Sequence, residues 1–297
     1  MNTLLTIFTP TYNRGYCLER LYNSLLKQSN HDFLWFVVDD GSTDNTRVLI
    51  NKLKNENKIK IEYHYQENEG KMSAHNWAVQ KCHTELFMCL DSDDILTDNA
   101  VELILNKWGE NIDKGICGIL APKFMTTDNN YLNITISKVK MTSPRNTLKG
   151  IYNDGYKGET ALVFKTDIIK HFPFPIEQGE KFVPENLSYD FIDDNYQYLI
   201  LEEPLMICAY QTDGYTRNIA KVYVANPKGS IKAFLHEFNR SKSFIRRIKL
   251  RMYMIAYGII AKNKINDVLN ITNEPLIMFC LFPLGIWYRC KLLKSLD

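Results

Sequence analysis

The chain's strongest constraint is an alternation of two hydrophobic periods across its first 125 residues. Residues 4–9, 33–38, 60–65, 85–90 and 116–122 are short apolar runs rich in β-branched residues, and each predicts a strand. Between the first two, Leu18, Leu21, Leu25 and Leu26 recur at the spacing of one helix face. Further helices are predicted over 43–57, with Val48, Ile50 and Leu53 inward, over 71–82, and from Asp98 onward, with Val101, Leu105 and Trp108. Strands alternating with helices at this spacing imply right-handed crossovers and a mostly parallel sheet covered on both faces, the α/β class. With 297 residues, 45% of them hydrophobic, the chain can bury a core for one large domain or two.

The pattern then changes. Residues 126–157 are rich in Thr and Asn, with a short alternating piece at 132–141, and read as an excursion with a hairpin. Strands are predicted at 159–165 and 199–211, separated by a Pro-rich segment at 172–184. From Ser230 the pattern is helical, with Ile231, Phe234, Leu235 and Phe238 at spacings of three and four. Charge divides the chain as well: residues 1–229 carry 24 Lys and Arg against 30 Asp and Glu, a balance of −6, and residues 230–297 carry 12 against 4, a balance of +8. A basic last quarter behind a mildly acidic remainder suggests an anionic partner for the tail. Seven cysteines without a C-x-x-C pair give neither a zinc site nor a disulfide framework, and fit a reducing compartment. The start, Met-Asn-Thr-Leu-Leu-Thr, lacks a basic region and a long apolar stretch, so no signal peptide is expected. No uncharged apolar run approaches the ~20 residues of a bilayer span.

In open parallel sheets ligands bind beyond the carboxyl ends of the strands, and there the polar motifs lie. The first strand ends in Thr9-Pro10-Thr11-Tyr12-Asn13-Arg14, the second in Val38-Asp39-Asp40-Gly41-Ser42-Thr43-Asp44, and the fourth in Leu90-Asp91-Ser92-Asp93-Asp94. Asp91 and Asp93, two apart in extended chain, point to the same side. Like charges so placed call for a cation, and hard oxygens suit Mg²⁺ or Mn²⁺. A turn with Asp94 or Asp98 as a helix N-cap explains the same residues equally well. Asp39, Asp40 and Gly41 are ordinary turn chemistry, and a carboxylate there is also able to accept from the ring N–H of a nucleotide base. Lys71, at a helix start where the dipole disfavours it, makes sense beside a bound anion, although a solvated lysine is the commoner case. His75 reads as a partly buried histidine with no Ser or Cys nucleophile to serve. G-x-G-x-x-G, G-x-x-x-x-G-K-[ST], G-x-S-x-G and H-E-x-x-H are all absent, which argues against a Rossmann dehydrogenase, a P-loop enzyme, and those hydrolase and zinc-protease classes.

Together with Gly70-Lys71, Ala74 and Asn76, these ordered motifs resemble the family 2 glycosyltransferases of GT-A fold. A looser resemblance, through 179–185, 203–205 and 210–218, is to the branch that builds bacterial surface polysaccharides. The resemblance implies an α/β GT-A domain over 1–228, with a nucleotide-sugar half at 1–125 and an acceptor half at 126–228, followed by a helical extension at 229–297. It implies inverting transfer of a sugar from a nucleotide diphosphate donor, a UDP-sugar by expectation, to an acceptor hydroxyl. Pro10, Tyr12 and Arg14 then belong to the donor site, Asp39 or Asp40 reads the base, and Lys71 lies near the pyrophosphate. Asp91, Ser92 and Asp93 form the DxD element, with Asp93 the direct ligand of Mn²⁺ or Mg²⁺. The family's base is a carboxylate after the sheet, often in a Glu-Asp pair. Here Glu185 is followed by Asn186, so Glu185 is the candidate base with Asp190 second. Arg217 is a candidate for the diphosphate. The Q-x-x-R-W motif of processive synthases is absent, so transfer of single sugars is expected.

The tail interleaves Phe244, Ile245, Ile248 and Leu250 with Arg246, Arg247, Lys249 and Arg251. Residues 276–288 carry no charge, contain Phe279, Phe282, Pro283 and Trp287, and precede Arg289, Lys291 and Lys294. The expectation is a patch on an anionic membrane surface through 244–297, bringing a cytoplasmic, peripherally bound enzyme to a lipid-linked saccharide acceptor. A core-packing helix with a solvated basic face is the alternative. Thirteen residues broken by Pro283 and Gly285 are not expected to span a bilayer. The acidic catalytic half argues against nucleic acid. Two rival functions are a sugar nucleotidyltransferase, which would need a Gly-rich loop that Tyr12-Asn13-Arg14-Gly15 does not provide, and a binding protein with a decayed site.

Overall fold

The structure, a computed structural model, describes residues 3–109, 113, 115–126, 134–136, 140, 141, 143–209 and 215–296. The chain forms two compact units, one of residues 1–173 and 189–212 and one of 174–188 and 213–297. The sequence-based boundary at 228/229 falls inside the second unit.

The strands of the first unit are β1 (Leu5–Thr11), β2 (Phe33–Asp39), β3 (Lys60–Tyr65), β4 (Leu86–Cys89), β5 (Ile95–Leu96), β6 (Ile116–Thr126), β7 (Ile134–Thr135), β8 (Arg145–Asn146), β9 (Thr160–Lys165), β10 (Gln197–Ile200) and β11 (Met206–Ala209). Its helices are α1 (Gly15–Leu26), α2 (Thr46–Asn55), α3 (Lys71–Lys81), α4 (Ala100–Gly109), α5 (Leu148–Asn153), α6 (Thr166–Ile169) and most of α7 (Asn186–Asp193). The main sheet runs β3-β2-β1-β4-β9-β6-β10-β8. Strands β1 to β4 pair in parallel, as the alternation requires. The fifth predicted strand, β6, does not join them directly: β9 inserts between β4 and β6, antiparallel to both. The sheet is therefore mixed. Of the piece at 132–141, most lies outside the described residues, and β7 within it pairs with β6.

One face of the sheet, with Leu5, Ile7, Trp35 and Val37, packs against α1, α2 and α4 through Leu18, Leu21, Ile50 and Ile104. The other, with Phe8, Phe36 and Phe87, packs against α3 through Ala74, Ala78 and Val79. Val48 was expected inward and is 71% exposed. Val48 and Ile50 are two residues apart, about 200° around a helix, so with Leu49, Ile50 and Leu53 forming the buried stripe Val48 falls on the opposite side. Likewise Ile104, not Leu105, sits fully inside with Val101 and Trp108.

The second unit holds the 174–188 segment with α8 (Tyr215–Ala225), α9 (Pro227–Arg240), α10 (Phe244–Ile260), α11 (Ile265–Asn270) and α12 (Pro275–Lys294). Its core joins Ile231, Phe238, Leu250, Met254, Tyr257 and Met278. Arg247 and Arg251 lie over the Phe238 ring, 3.8 and 4.4 Å from its centroid. Arg251, with its side chain 6% exposed, is ion-paired with Glu274 at the start of α12. The expected break at Pro283 does not occur. α12 continues through it for 20 residues, and so is long and apolar enough, by length and composition, to cross a membrane. The 174–188 segment is fastened to α9: Glu180 accepts from the Lys228 and Gly229 N–H groups, both at 2.7 Å, and the Lys181 N–H donates to Asn226 Oδ1 at 2.7 Å. Lys232 pairs with Glu177 at 2.5 Å.

Candidate active site

The loops after β1, β2 and β3 are stitched into one surface at the carboxyl end of the sheet. Asn13 adopts a left-handed backbone (φ 53°), which its short polar side chain tolerates. Its Oδ1 accepts from the N–H groups of Thr43 at 2.8 Å and Asp44 at 3.3 Å, and its own N–H donates to Ser42 Oγ at 2.8 Å. Asp44 closes the seam from the other side, accepting from Gly15 N–H at 3.1 Å and Thr46 N–H at 2.9 Å. Burial works to raise the Asp44 carboxyl, and the bonds from Thr46 and Gly15 outweigh it, leaving it below its ordinary value.

Asp39 and Asp40 are 0% and 4% exposed, and both are committed to the scaffold. Asp39 accepts from Ser42 N–H and from the Tyr63 hydroxyl, each at 2.8 Å. Burial, then this bond, raises the Tyr63 hydroxyl above its ordinary value. Asp40 accepts from Gln66 Nε2 at 2.7 Å, Glu69 N–H at 2.9 Å and Gly70 N–H at 2.8 Å. Those three bonds set the 66–70 loop, which delivers the chain into α3. Gly70, the residue before α3, has φ 94°, a conformation that favours glycine.

Lys71 opens α3, and its Nζ lies 2.8 Å from each oxygen of Asp91. Burial works to raise the Asp91 carboxyl, and the Lys71 ammonium overrides it, holding the group below its ordinary value. Asp93 moves the other way, raised by burial and then by the Asp91 charge. The 91–94 stretch is not extended, as the sequence argument assumed. Asp94 N–H donates to the Asp91 carbonyl at 3.0 Å and closes a turn, with the two carboxylates still close enough to repel. Behind the turn, the Cys208 thiol on β11 donates to Asp94 Oδ2 at 2.9 Å. The Asp94 carboxyl is pushed up to about 7 by burial, against the Lys123 ammonium. β11 also pairs with β5, the strand that leaves the turn. The Arg20 guanidinium donates to the Asp93 carbonyl at 3.1 Å.

Pro10 is buried in β1, and Tyr12, just past its end, is 48% exposed. Arg14 precedes α1, donates to the Tyr16 hydroxyl and acts on Asp93 through its charge. Ser92 is buried in the turn. These residues, with Asp39, Asp40, Lys71, Asp91 and Asp93, belong to the first unit. Glu185 lies in the second unit, exposed, just before α7, and its backbone carbonyl accepts from Ser188 N–H at 3.0 Å. Asp190 is half-buried in α7, in the first unit. Arg217 lies in α8, and its side chain is outside the described residues. The sequence reading missed Asn13, Arg20, Lys123 and Cys208. Asn13 stood inside a quoted motif, and the other three are joined to the turn only by folding.

The donor set fits a divalent cation shared with a ligand. Among the described residues no group of three or more His, Cys, Asp or Glu forms a complete cage. Mg²⁺ and Mn²⁺ that bridge phosphates take one or two protein carboxylates and leave positions to the substrate. Asp91 and Asp93 would supply two, Asp91 in exchange for its contacts to Lys71, and positive charge there would lessen the repulsion that, after burial, raises Asp93.

His75, 5% exposed, meets the rings of Phe8 and Phe87 edge-on, at 5.7 and 5.4 Å between centroids. Burial, helped by the Lys71 charge, lowers it from 6.5 to about 3, so it is neutral at physiological pH and no acid–base catalyst. A histidine so depressed contributes stability that is complete above pH 6.5 and declines as pH falls toward 3. Asp94, pushed up to about 7, titrates over the same range with the opposite sign, so the comparison with His75→Leu isolates the histidine: the stability of the wild type relative to that variant, from urea unfolding measured downward from neutral pH, is expected to fall by up to about 1.4 kcal/mol per pH unit. Parallel profiles for the two proteins would sink the assignment.

A family model described as "Glycosyl transferase family 2" matches residues 6–172. Among curated relatives, a teichoic acid poly(glycerol phosphate) polymerase from Staphylococcus epidermidis is 27% identical over 169 residues, 56% of this chain and 22% of that protein. A chondroitin synthase from Escherichia coli is 36% identical over 110 residues, 37% of this chain and 16% of that protein. The matches thus span about a fifth or less of these relatives. In fold, the chain is similar to S. aureus TarS 1-349 crystallised with UDP-GlcNAc, at TM-score 0.57 and 19% identity over 98% of this chain and 88% of that one.

Proposed function

The chain belongs to glycosyl transferase family 2, and on that premise we propose that it moves single sugars from a UDP-sugar to an acceptor hydroxyl, inverting the anomeric carbon. The observation that carries this reading is the Lys71–Asp91 pair beside Asp93 at the carboxyl end of the sheet. Cleaving a sugar from a nucleoside diphosphate leaves negative charge on the departing phosphates. Lys71 is held where α3 begins, so its ammonium and the first amide groups of the helix favour that charge together. Mg²⁺ or Mn²⁺ held by Asp91 and Asp93 would add Lewis-acid stabilisation of the same leaving group. Pro10, Tyr12 and Arg14 line the donor site, Ser92 completes the turn beneath it, and Asp39 or Asp40 would accept from the base only by giving up one of the scaffold bonds it now makes. Arg217 adds positive charge at the diphosphate. Glu185 takes the acceptor proton on the far side of the sugar, with Asp190 as the second candidate.

The UDP-GlcNAc bound to TarS supports a UDP-sugar donor, and the polymerase and synthase relatives support a surface polysaccharide product. We place the enzyme at the cytoplasmic face of the membrane, acting on a lipid-linked saccharide, with residues 244–297 as the contact to anionic lipid. The direct test is thermal denaturation with UDP, GDP, dTDP and CMP, each with and without Mn²⁺. A rise in Tm with UDP that needs the metal is expected. Stabilisation by none of them overturns the donor assignment.

A further inference from the structure

α12 is apolar on nearly all sides, yet only a narrow seam of it is covered. Met278, Gly285 and Leu292, seven residues apart, are its buried positions. The seam is tight: a side chain at Gly285 would come within 2.4 Å of Ile255 Cγ2, and the Tyr253 and Tyr288 rings stand 4.6 Å apart. On the outward side Leu276 is 81% exposed, Phe279 68%, Trp287 56%, Leu284 46% and Ile286 43%. Leu276, Phe279, Pro283 and Ile286 fall at spacings of three and four, one helix face. No charged side chain occurs from Pro275 to Tyr288, and then Arg289, Lys291 and Lys294 follow within six residues. Lys291 lies over the Trp287 ring at 5.5 Å, so aromatic and cation form one edge of the patch.

A helix with this profile needs a cover. We infer that α12 lies in the plane of an anionic membrane surface, with Leu276, Phe279, Ile286 and Trp287 in the acyl–headgroup boundary and Lys291 and Lys294 on the lipid phosphates. This specifies the membrane contact that the proposed function assumes and rests on that part of the reading. Two observations choose this cover over others. A second copy would set two like-charged surfaces against each other, since a two-fold contact uses the same patch of both copies and residues 230–297 carry a balance of +8. A spanning arrangement would take along the helix that α12 is seated on. That helix bears Arg246, Arg247, Lys249 and the Arg251 paired with Glu274, charges that are costly in hydrocarbon. An in-plane helix keeps its seam on α10 and its outward face in lipid, the arrangement of monotopic anchors.

The test is co-sedimentation of the full chain with vesicles of phosphatidylcholine, with and without phosphatidylglycerol. Binding is expected on the anionic vesicles, weakened by salt and reversed by an alkaline carbonate wash. F279E/W287E should lower the partition coefficient about tenfold or more, since each replaces with a charge a large apolar side chain that the membrane would cover. K291Q/K294Q should lower it on anionic vesicles alone, and keeps the test open should the first variant fold poorly. Wild-type partitioning by both variants overturns the proposal. So does a wild-type dimer that F279E/W287E makes monomeric, which would give the face to a second copy. Resistance to the carbonate wash overturns it in favour of a spanning helix. No donor or acceptor enters these assays, so failure of the nucleotide test and failure of this one remain separate results.

Discussion

Asp93→Ala is expected to abolish metal-dependent donor binding and to lower kcat/KM about a thousandfold or more, roughly 4 kcal/mol of transition-state stabilisation. The two carboxylates of the turn are not equivalent. Asp91 is held ionised by Lys71, whereas Asp93 is raised by burial and by Asp91 itself. A divalent cation held by Asp91 and Asp93 would relieve the repulsion between them, and with both Asp91 oxygens already bonded to Lys71, Asp93 would be the carboxylate it depends on most. The fold should tolerate the change. Arg20 bonds the Asp93 backbone carbonyl, and the turn closes through Asp94 N–H and the Asp91 carbonyl, neither of which the substitution touches. Calorimetry with UDP and Mn²⁺ decides the matter: undiminished affinity in Asp93→Ala refutes the metal role.

Glu185→Gln should leave donor binding intact and lower turnover by about 10²–10⁴, the range for removal of a general base. Its exposed position makes a stability effect small, and its backbone carbonyl, which takes the Ser188 N–H, is unaltered. The pairing of retained affinity with lost turnover separates a base from a binding residue. Wild-type turnover rules Glu185 out and moves the assignment to Asp190.

The parallel strands were legible because their apolar runs are bounded by turn residues and separated by helical spacing, all local signals. What the sequence concealed was non-local. Nothing in 160–165 announces that β9 will insert between β4 and β6, because strand order is decided by packing across the sheet. Cys208 and Arg20 are bonded to the acidic turn from 114 and 73 residues away, so neither carried a signal. Val48 failed for a different reason: two residues from Ile50, it lies across the helix from it, so the two cannot share the buried face. Pro283 failed because a proline inside an apolar helix removes one hydrogen bond without ending the helix when neighbours hold both sides of it. The strand-end motifs located the site well, yet Asp40 shows their limit. Its three bonds to the 66–70 loop make it a builder of the Lys71 position, a role invisible in the dipeptide.

The grip of Glu180 on the start of α9 has a consequence for heredity. The 174–188 segment and the helices from 213 onward are one compact unit encoded in two separated stretches. A single genetic crossover between relatives anywhere from 189 to 212 would graft foreign helices onto a resident segment, leaving Glu180 to meet an amide pair it did not evolve with. Functional hybrids should therefore arise where both stretches travel together, and the intervening 189–212 should be free to descend with the sheet.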